Sequence, residues 1–348
     1  MPQSRLLPTS RVIQSRAEEE RGFVRKIIAL TAAAGLLVTL AACSTSAPTG
    51  ACEPGISSGD ASSTITAKGT FSAEPNAEFP TPLVATTVEA SAVTTGDGAT
   101  VFGGQYAEAQ VTLYDGETGE YLTSTTYDPT GAFTVRAGKG AGNLGQALEC
   151  RTVGSRVAVA ATGSDLYGFA GIAKDSLPAK ATYVLVFDIV DVILGKAHGV
   201  DQVPQQGLPS VVTTPQGVPG VTVPSEDPPA GLRVAVLKQA DGATLAEGDS
   251  IYAHYLRVDW SDPKSTISQK STWDDFGNPE IMTLTTLEPS TGVGLTAGLL
   301  QALVGQKVGS QVLVVVPPSF GFPEGAAPDG VDATATLVYV IDILGVVD

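Results

Sequence analysis

The feature that most constrains this chain is a segment it carries twice. Residues 298–325 read GLLQALVGQKVGSQVLVVVPPSFGFPEG, and a worn copy of the middle, QALECRTVGSRVAVA, occupies residues 146–160. Ala147-Leu148 and Val153-Gly154-Ser155 recur as Ala302-Leu303 and Val308-Gly309-Ser310, about 155 residues later. Further on, Ala181-Thr182 and Asp188-Ile189 recur as Ala335-Thr336 and Asp342-Ile343 at nearly the same spacing. Each block also has an acidic turn, GDGA at Gly96 and ADGA at Ala240, ahead of its first long strand. Glycine and valine richness can mimic one such anchor by chance, but hardly three in register. The pattern is a tandem duplication, and 348 residues hold two domains of ordinary size.

Composition narrows the fold and the partners. The 39 glycines and 23 prolines punctuate the chain too often for long helices, which favours β-rich structure with many turns. Acidic residues outnumber basic ones 36 to 20, for a net charge of −16. A phosphate-neutralising surface is not expected, so nucleic acid is not an expected partner. The charge reads as a solvated exterior.

The N-terminus reads as an address. Arg25-Lys26 precede an apolar run from Ile27 to Leu40, about 14 residues long, which suits a signal-peptide core better than a membrane span. Leu40-Ala41-Ala42-Cys43 follows and resembles the lipobox of bacterial lipoproteins. That resemblance implies cleavage before Cys43, lipidation of Cys43, and residence on the extracytoplasmic face of the cell membrane. Residues 1–42 are then a signal peptide, with a true start near Val24. Cys52 and Cys150 remain, either bridged or free, in a compartment that permits disulfides. A bridge would close a loop of about 100 residues and be worth at most about 4–5 kcal/mol.

Residues 43–65, rich in Ser, Gly, Ala and Thr, read as a flexible tether. Residues 196–216, broken by prolines, read as a linker grading into an edge strand. The domains are then 66–195 and 217–348. In the second, Leu232–Leu237, Ser250–Asp259, Gln311–Val316 and Thr334–Leu344 have strand character. Leu295, Leu299, Leu300 and Leu303 recur at helical spacing, with Gly305 as a stop. The expected class is α+β, a sheet wrapped on one short helix in each domain.

The second block resembles the FKBP-type peptidyl-prolyl cis-trans isomerases from about Gly231 to Val346. The matching pieces are Gly248-Asp249, Ala253-His254-Tyr255, Ser271-Thr272-Trp273, Gly277, Pro279, the run Ala302 to Ser310, Pro317-Pro318, and Ala335 to Tyr339. The resemblance implies a twisted antiparallel sheet around one helix, with an apolar cleft between them. It places Tyr255, Phe322 and Tyr339 at the reacting bond and Leu295, Thr296 and Leu299 in the substrate-binding floor. The partners it implies are proline-containing unfolded or secreted polypeptides, beside the bilayer reached through Cys43.

The chemistry needs no nucleophile, metal or cofactor. Rotation about an X-Pro bond is opposed by amide resonance, and an apolar cleft that fits the twisted amide favours the transition state. His254, in a strand, reads as structural.

The departures from the family bear on turnover. Gln269-Lys270 stand where the family has Phe-Asp, so the acidic partner of the cleft tyrosine is missing. Leu299 replaces a tryptophan and Phe322 a tyrosine. The expectation is weak isomerase activity; the alternative is a chaperone-like protein that binds prolyl peptides without turnover. Leu295 and Leu299 are equally readable as helix core. In the first block Ala109-Gln110-Val111 lacks the tyrosine and Ala161-Thr162 replaces the paired prolines, so no catalysis is expected there.

Overall fold

The computed structural model describes residues 52–347, apart from 129–130, 140–141, 265–268 and 274–276. The signal peptide, Cys43 and the first part of the tether lie outside the described residues. Residues 52–348 form one compact unit containing both lobes.

The chain runs α1 (Asp60–Ser63), β1 (Thr66–Lys68), β2 (Asn76–Glu78), β3 (Glu89–Thr94), β4 (Tyr106–Asp115), β5 (Tyr121–Ser124), β6 (Phe133–Arg136), α2 (Gly142–Leu148), β7 (Arg156–Thr162) and β8 (Thr182–Ile193) through the first lobe. The second lobe holds β9 (Val200–Asp201), β10 (Ser210–Thr213), β11 (Pro219–Thr222), β12 (Arg233–Gln239), β13 (Ser250–Asp259), β14 (Lys270–Ser271), β15 (Glu280–Thr283), α3 (Ala297–Leu303), β16 (Gln311–Val316) and β17 (Leu337–Val346).

The duplication is visible in the strand order and register. The first sheet runs β3-β7-β8-β4-β5, with β6 also on β4; the second runs β9-β12-β16-β17-β13-β14, with β15 also on β13. Ala109 opposes Ile189 and Gln110 opposes Asp188 in one lobe; Ala253 opposes Ile343 and His254 opposes Asp342 in the other. A bulge precedes both alanines, between Glu108 and Ala109 and between Tyr252 and Ala253. Gly154 and Gly309 turn with φ of +88° and +90°, a conformation that costs a side chain and explains why Val-Gly-Ser survives in both copies.

Each sheet is covered on both faces. Strand alternation sends one set of side chains to the helix and the other to a small hairpin. In the second lobe Ile251, Ala253, Tyr255, Leu337, Tyr339 and Ile341 join Leu299, Ala302 and Leu303 of α3 in one core. On the opposite face Leu256, Val258, Leu313, Val315 and Val340 pack with Leu208, Val211 and Val221 around the β10–β11 hairpin. In the first lobe the β1–β2 hairpin covers the equivalent face, with Ala61, Ile65, Leu83, Ala160 and Val186.

Two expectations are corrected. The stretch read as tether is built into the first lobe from Cys52 onward: α1 buries Ala61, and Cys52 bonds Cys150 with Cα atoms 5.4 Å apart. The stretch read as linker belongs to the second lobe: β9 pairs with β12, β10 pairs with β11, and Leu208 is buried. Composition misled at the linker because a short two-stranded hairpin tolerates proline at a strand's first residue, where Pro219 opens β11. The expectation of one helix per domain is also too simple, since the first lobe has both α1 and α2. The protein is mostly β.

A buried ion pair pins the first hairpin. Arg156 Nε donates to Asp188 Oδ1 at 2.6 Å and Nη2 to Oδ2 at 2.7 Å, while the guanidinium also donates to the carbonyls of Gly69, Thr70 and Ala73. The second lobe has Gln311 in place of the arginine, donating to Asp342 Oδ1 at 2.7 Å. The lobes meet through a small apolar cluster of Tyr106, Ile193, Tyr252 and Leu344.

Candidate functional site

The inner face of the second sheet brings most of the expected cleft residues together. Tyr255, Leu295, Leu299 and Tyr339 belong to one buried cluster, with Phe320 and Phe322 half-buried at its margin. β13 and β17 deliver the two tyrosines side by side, ring centroids 6.4 Å apart and tilted by 41°. Thr296, expected in the floor, caps α3 by accepting from the Leu299 backbone N–H. Leu299 at the tryptophan position keeps the floor apolar, and Phe322 offers no hydroxyl.

The carboxylate partner of Tyr255 is present, but it comes from a different strand. The Tyr255 hydroxyl donates to Glu280 Oε2 at 3.0 Å. Glu280 opens β15, whose register sets it across from Ala253. Lys270, on β14, closes the group: its Nζ lies 2.6 Å from Glu280 Oε1 and 5.5 Å from the Tyr255 ring centroid. The loss of the acidic residue at position 270 is therefore offset. Lys270 recruits a carboxylate from the neighbouring edge strand and holds it against the phenol. Sequence reasoning missed Glu280 because its proximity depends on cross-strand register, not on local spacing.

Burial raises the pKa of Tyr255, against the opposing pull of Lys270, so the phenol stays protonated and can donate. Burial likewise raises the pKa of Tyr339, with Arg257 acting the other way. Burial disfavours the charge on Lys270, but its contacts with Glu280 and Tyr255 prevail and raise its pKa.

His254 faces away from this cleft. It is fully buried, stacked on Trp273 at 3.9 Å between ring centroids, with its pKa lowered to about 3 by burial and then by Arg136. Trp260 packs on the outer face, its indole N–H donating to the Glu226 carbonyl at 3.1 Å. In the first lobe, Phe133, Tyr167, Phe169 and Leu144 line an open pocket of about 580 Å³, with Asn278 of the second lobe at its rim.

The second lobe thus packs a short helix into a wrapped antiparallel sheet, with Tyr255 and Tyr339 buried between them. Residues 275–344 match the sequence profile described as FKBP-type peptidyl-prolyl cis-trans isomerase. An FK506-binding protein of Streptomyces anulatus is 27% identical over 130 residues, which are 37% of this chain and 96% of that protein. The similarity to the FKBP-type peptidyl-prolyl cis-trans isomerases thus falls on the second lobe, over residues 275–344.

Two solved structures are also similar. The three FKBP domains of wheat FKBP73 are 16% identical, over 75% of this chain and 94% of that one, with a TM-score of 0.28. The putative peptidyl prolyl cis-trans isomerase FKBP12 of Mycobacterium tuberculosis is 26% identical, over 34% of this chain and 87% of that one, with a TM-score of 0.24.

Proposed function

We propose that the second lobe catalyses cis–trans isomerisation of X-Pro bonds in unfolded or secreted polypeptides, outside the cytoplasm and tethered to the membrane through a lipid on Cys43. The observation that carries the catalytic reading is the Tyr255–Glu280–Lys270 group beside the buried cluster of Tyr255, Leu295, Leu299 and Tyr339.

The planar amide is held by resonance worth about 18–20 kcal/mol against rotation. On twisting, the nitrogen lone pair leaves conjugation, and the amide becomes less polar. A prolyl ring seated on Leu299 between Tyr255 and Tyr339 is out of water, so the twisted form gains relative to the planar one. That difference in binding is the catalysis. Glu280 fixes the Tyr255 ring through its hydroxyl. Because Phe322 cannot donate to the substrate carbonyl, one hydrogen bond of about 0.5–1.5 kcal/mol is absent, and turnover is modest.

The extracytoplasmic placement is supported by the lipobox-like sequence at Cys43 and by the Cys52–Cys150 bond, which suits an oxidising compartment. The second reading, a prolyl-peptide binder without turnover, is favoured by Leu299 and Phe322 at the aromatic positions. Proline-limited refolding of a model substrate separates the two. Acceleration by the full chain at micromolar concentration supports catalysis; suppressed aggregation with an unchanged rate supports binding alone.

A further inference from the structure

The first lobe lacks the cleft tyrosine, yet it reaches into the second lobe at the segment that leads to Glu280. Tyr106 opens β4 and is 1% exposed. Its hydroxyl lies 2.8 Å from His254 Nε2 and donates to the carbonyl of Gly277. The hydrogen-bond order follows from these partners. The single phenolic hydrogen goes to the carbonyl, which can only accept, so His254 Nε2 carries a proton and donates to Tyr106. His254 Nδ1 then accepts from Thr272 Oγ1 at 2.9 Å, and Thr272 Oγ1 accepts from the Tyr255 backbone N–H at 2.9 Å. Neutral His254 satisfies every member of this chain.

The relay reaches towards the cleft by two routes. One is the backbone of Tyr255. The other is Gly277, three residues before Glu280, whose carboxylate receives the Tyr255 hydroxyl. Arg136 of β6 adds to the hold: a Cβ at Gly277 would stand 3.2 Å from its Nη1, so the second lobe's segment lies directly against the first.

We propose that Tyr106 is a positioning residue through which the first lobe sets the Tyr255–Glu280 geometry of the second. This rests on the reading of that cleft as a prolyl-peptide site. The degenerate lobe is retained as a fixed wall for the strand that supplies the carboxylate, and the two copies work as one unit.

The test uses the full chain with 13Cζ-labelled tyrosine. Tyr106→Phe should move the Tyr255 Cζ resonance, although the two hydroxyls share no partner, and should weaken proline-peptide binding about 3- to 10-fold. The peptide Kd and KM should change more than kcat. Tyr252→Phe breaks another lobe contact, the 3.2 Å bond to Glu108 Oε1, and should leave the Tyr255 signal in place. The reciprocal measurement is Glu280→Gln, a change at a half-exposed side chain, which should move the Tyr106 Cζ resonance.

An unmoved Tyr255 signal in folded Tyr106→Phe, or equal movement with Tyr252→Phe, overturns the proposal. Should Tyr106→Phe not fold, an unmoved Tyr106 signal in Glu280→Gln overturns it. A wild-type chain that binds no proline peptide defeats the reading of the cleft instead, while the tyrosine signals still decide the coupling.

Discussion

Replacing Tyr255 by phenylalanine removes one oxygen and one hydrogen bond from the candidate site. The structure bounds the cost. The partner, Glu280, is 43% exposed and keeps Lys270 at 2.6 Å, so the carboxylate is not stranded without solvation when the hydroxyl is gone. The full penalty for an unpaired buried charge does not apply. What remains is an ordinary side-chain hydrogen bond, about 0.5–1.5 kcal/mol, or roughly 2- to 13-fold in an equilibrium or rate. The ring itself stays in the cluster with Leu299 and Tyr339, so the cleft keeps its floor. Tyr255→Phe should therefore lower kcat/KM by about 3- to 10-fold while unfolding free energy falls by about 1 kcal/mol. Proline-limited refolding at fixed enzyme concentration measures the first, and urea denaturation the second. If the hydroxyl acts through Glu280, Glu280→Ala should give a similar loss, and the double variant little more. Losses that multiply in the double variant, or an unchanged kcat/KM in Tyr255→Phe, would refute the reasoning.

Three further outcomes follow from an ion pair, a disulfide and two buried titratable groups. Asp188→Asn leaves the Arg156 guanidinium, 3% exposed, without its counter-charge and should cost about 3–5 kcal/mol in urea denaturation; a cost under about 1 kcal/mol contradicts the ion pair's role in holding the hairpin. Reducing Cys52–Cys150, separated by 98 residues, should lower stability by up to about 4–5 kcal/mol, and an unshifted Tm in dithiothreitol would be inconsistent with a bond that staples the N-terminal segment. His254, at about 3 when folded and 6.5 unfolded, makes the unfolded chain bind the extra proton between those values, so its contribution to stability is lost as pH falls from 6.5. Asp342, raised to about 6 from 3.8 chiefly by burial, acts oppositely, its contribution present at low pH and lost as pH rises through 6. In urea midpoints measured against pH, His254→Gln should therefore lose the acid-side decline and expose the Asp342 trend; an unaltered profile below pH 6.5 would show that His254 does not titrate as a buried neutral group.

Much of the scaffold was legible because the repeated residues do repeated work. Val-Gly-Ser recurs where a left-handed glycine turns the chain into a central strand, and Ser250–Asp259 and Gln311–Val316 fall where their apolar runs indicate. Leu295, Leu299 and Leu303 recur at helical spacing, and all three are buried in the core against the sheet. The hairpins at 66–78 and 210–222 were hidden by their composition. Their strands are three or four residues long and draw stability from the sheet beneath, which local propensity does not register. Glu280 was illegible for a related reason. Ten residues separate it from Lys270, and only the pairing of β14 and β15 along the same edge of β13 brings the two side chains to Tyr255. Tyr106 was further out of reach, since its partners His254 and Gly277 lie 148 and 171 residues away.

The most direct measurement is exchange spectroscopy by NMR on a short X-Pro peptide, with and without catalytic amounts of the full chain. The account predicts cis–trans exchange accelerated in proportion to protein concentration, and that acceleration abolished in a folded Tyr255→Ala/Phe322→Ala variant. Exchange at the uncatalysed rate with folded wild-type protein, or acceleration undiminished in the double variant, would contradict it.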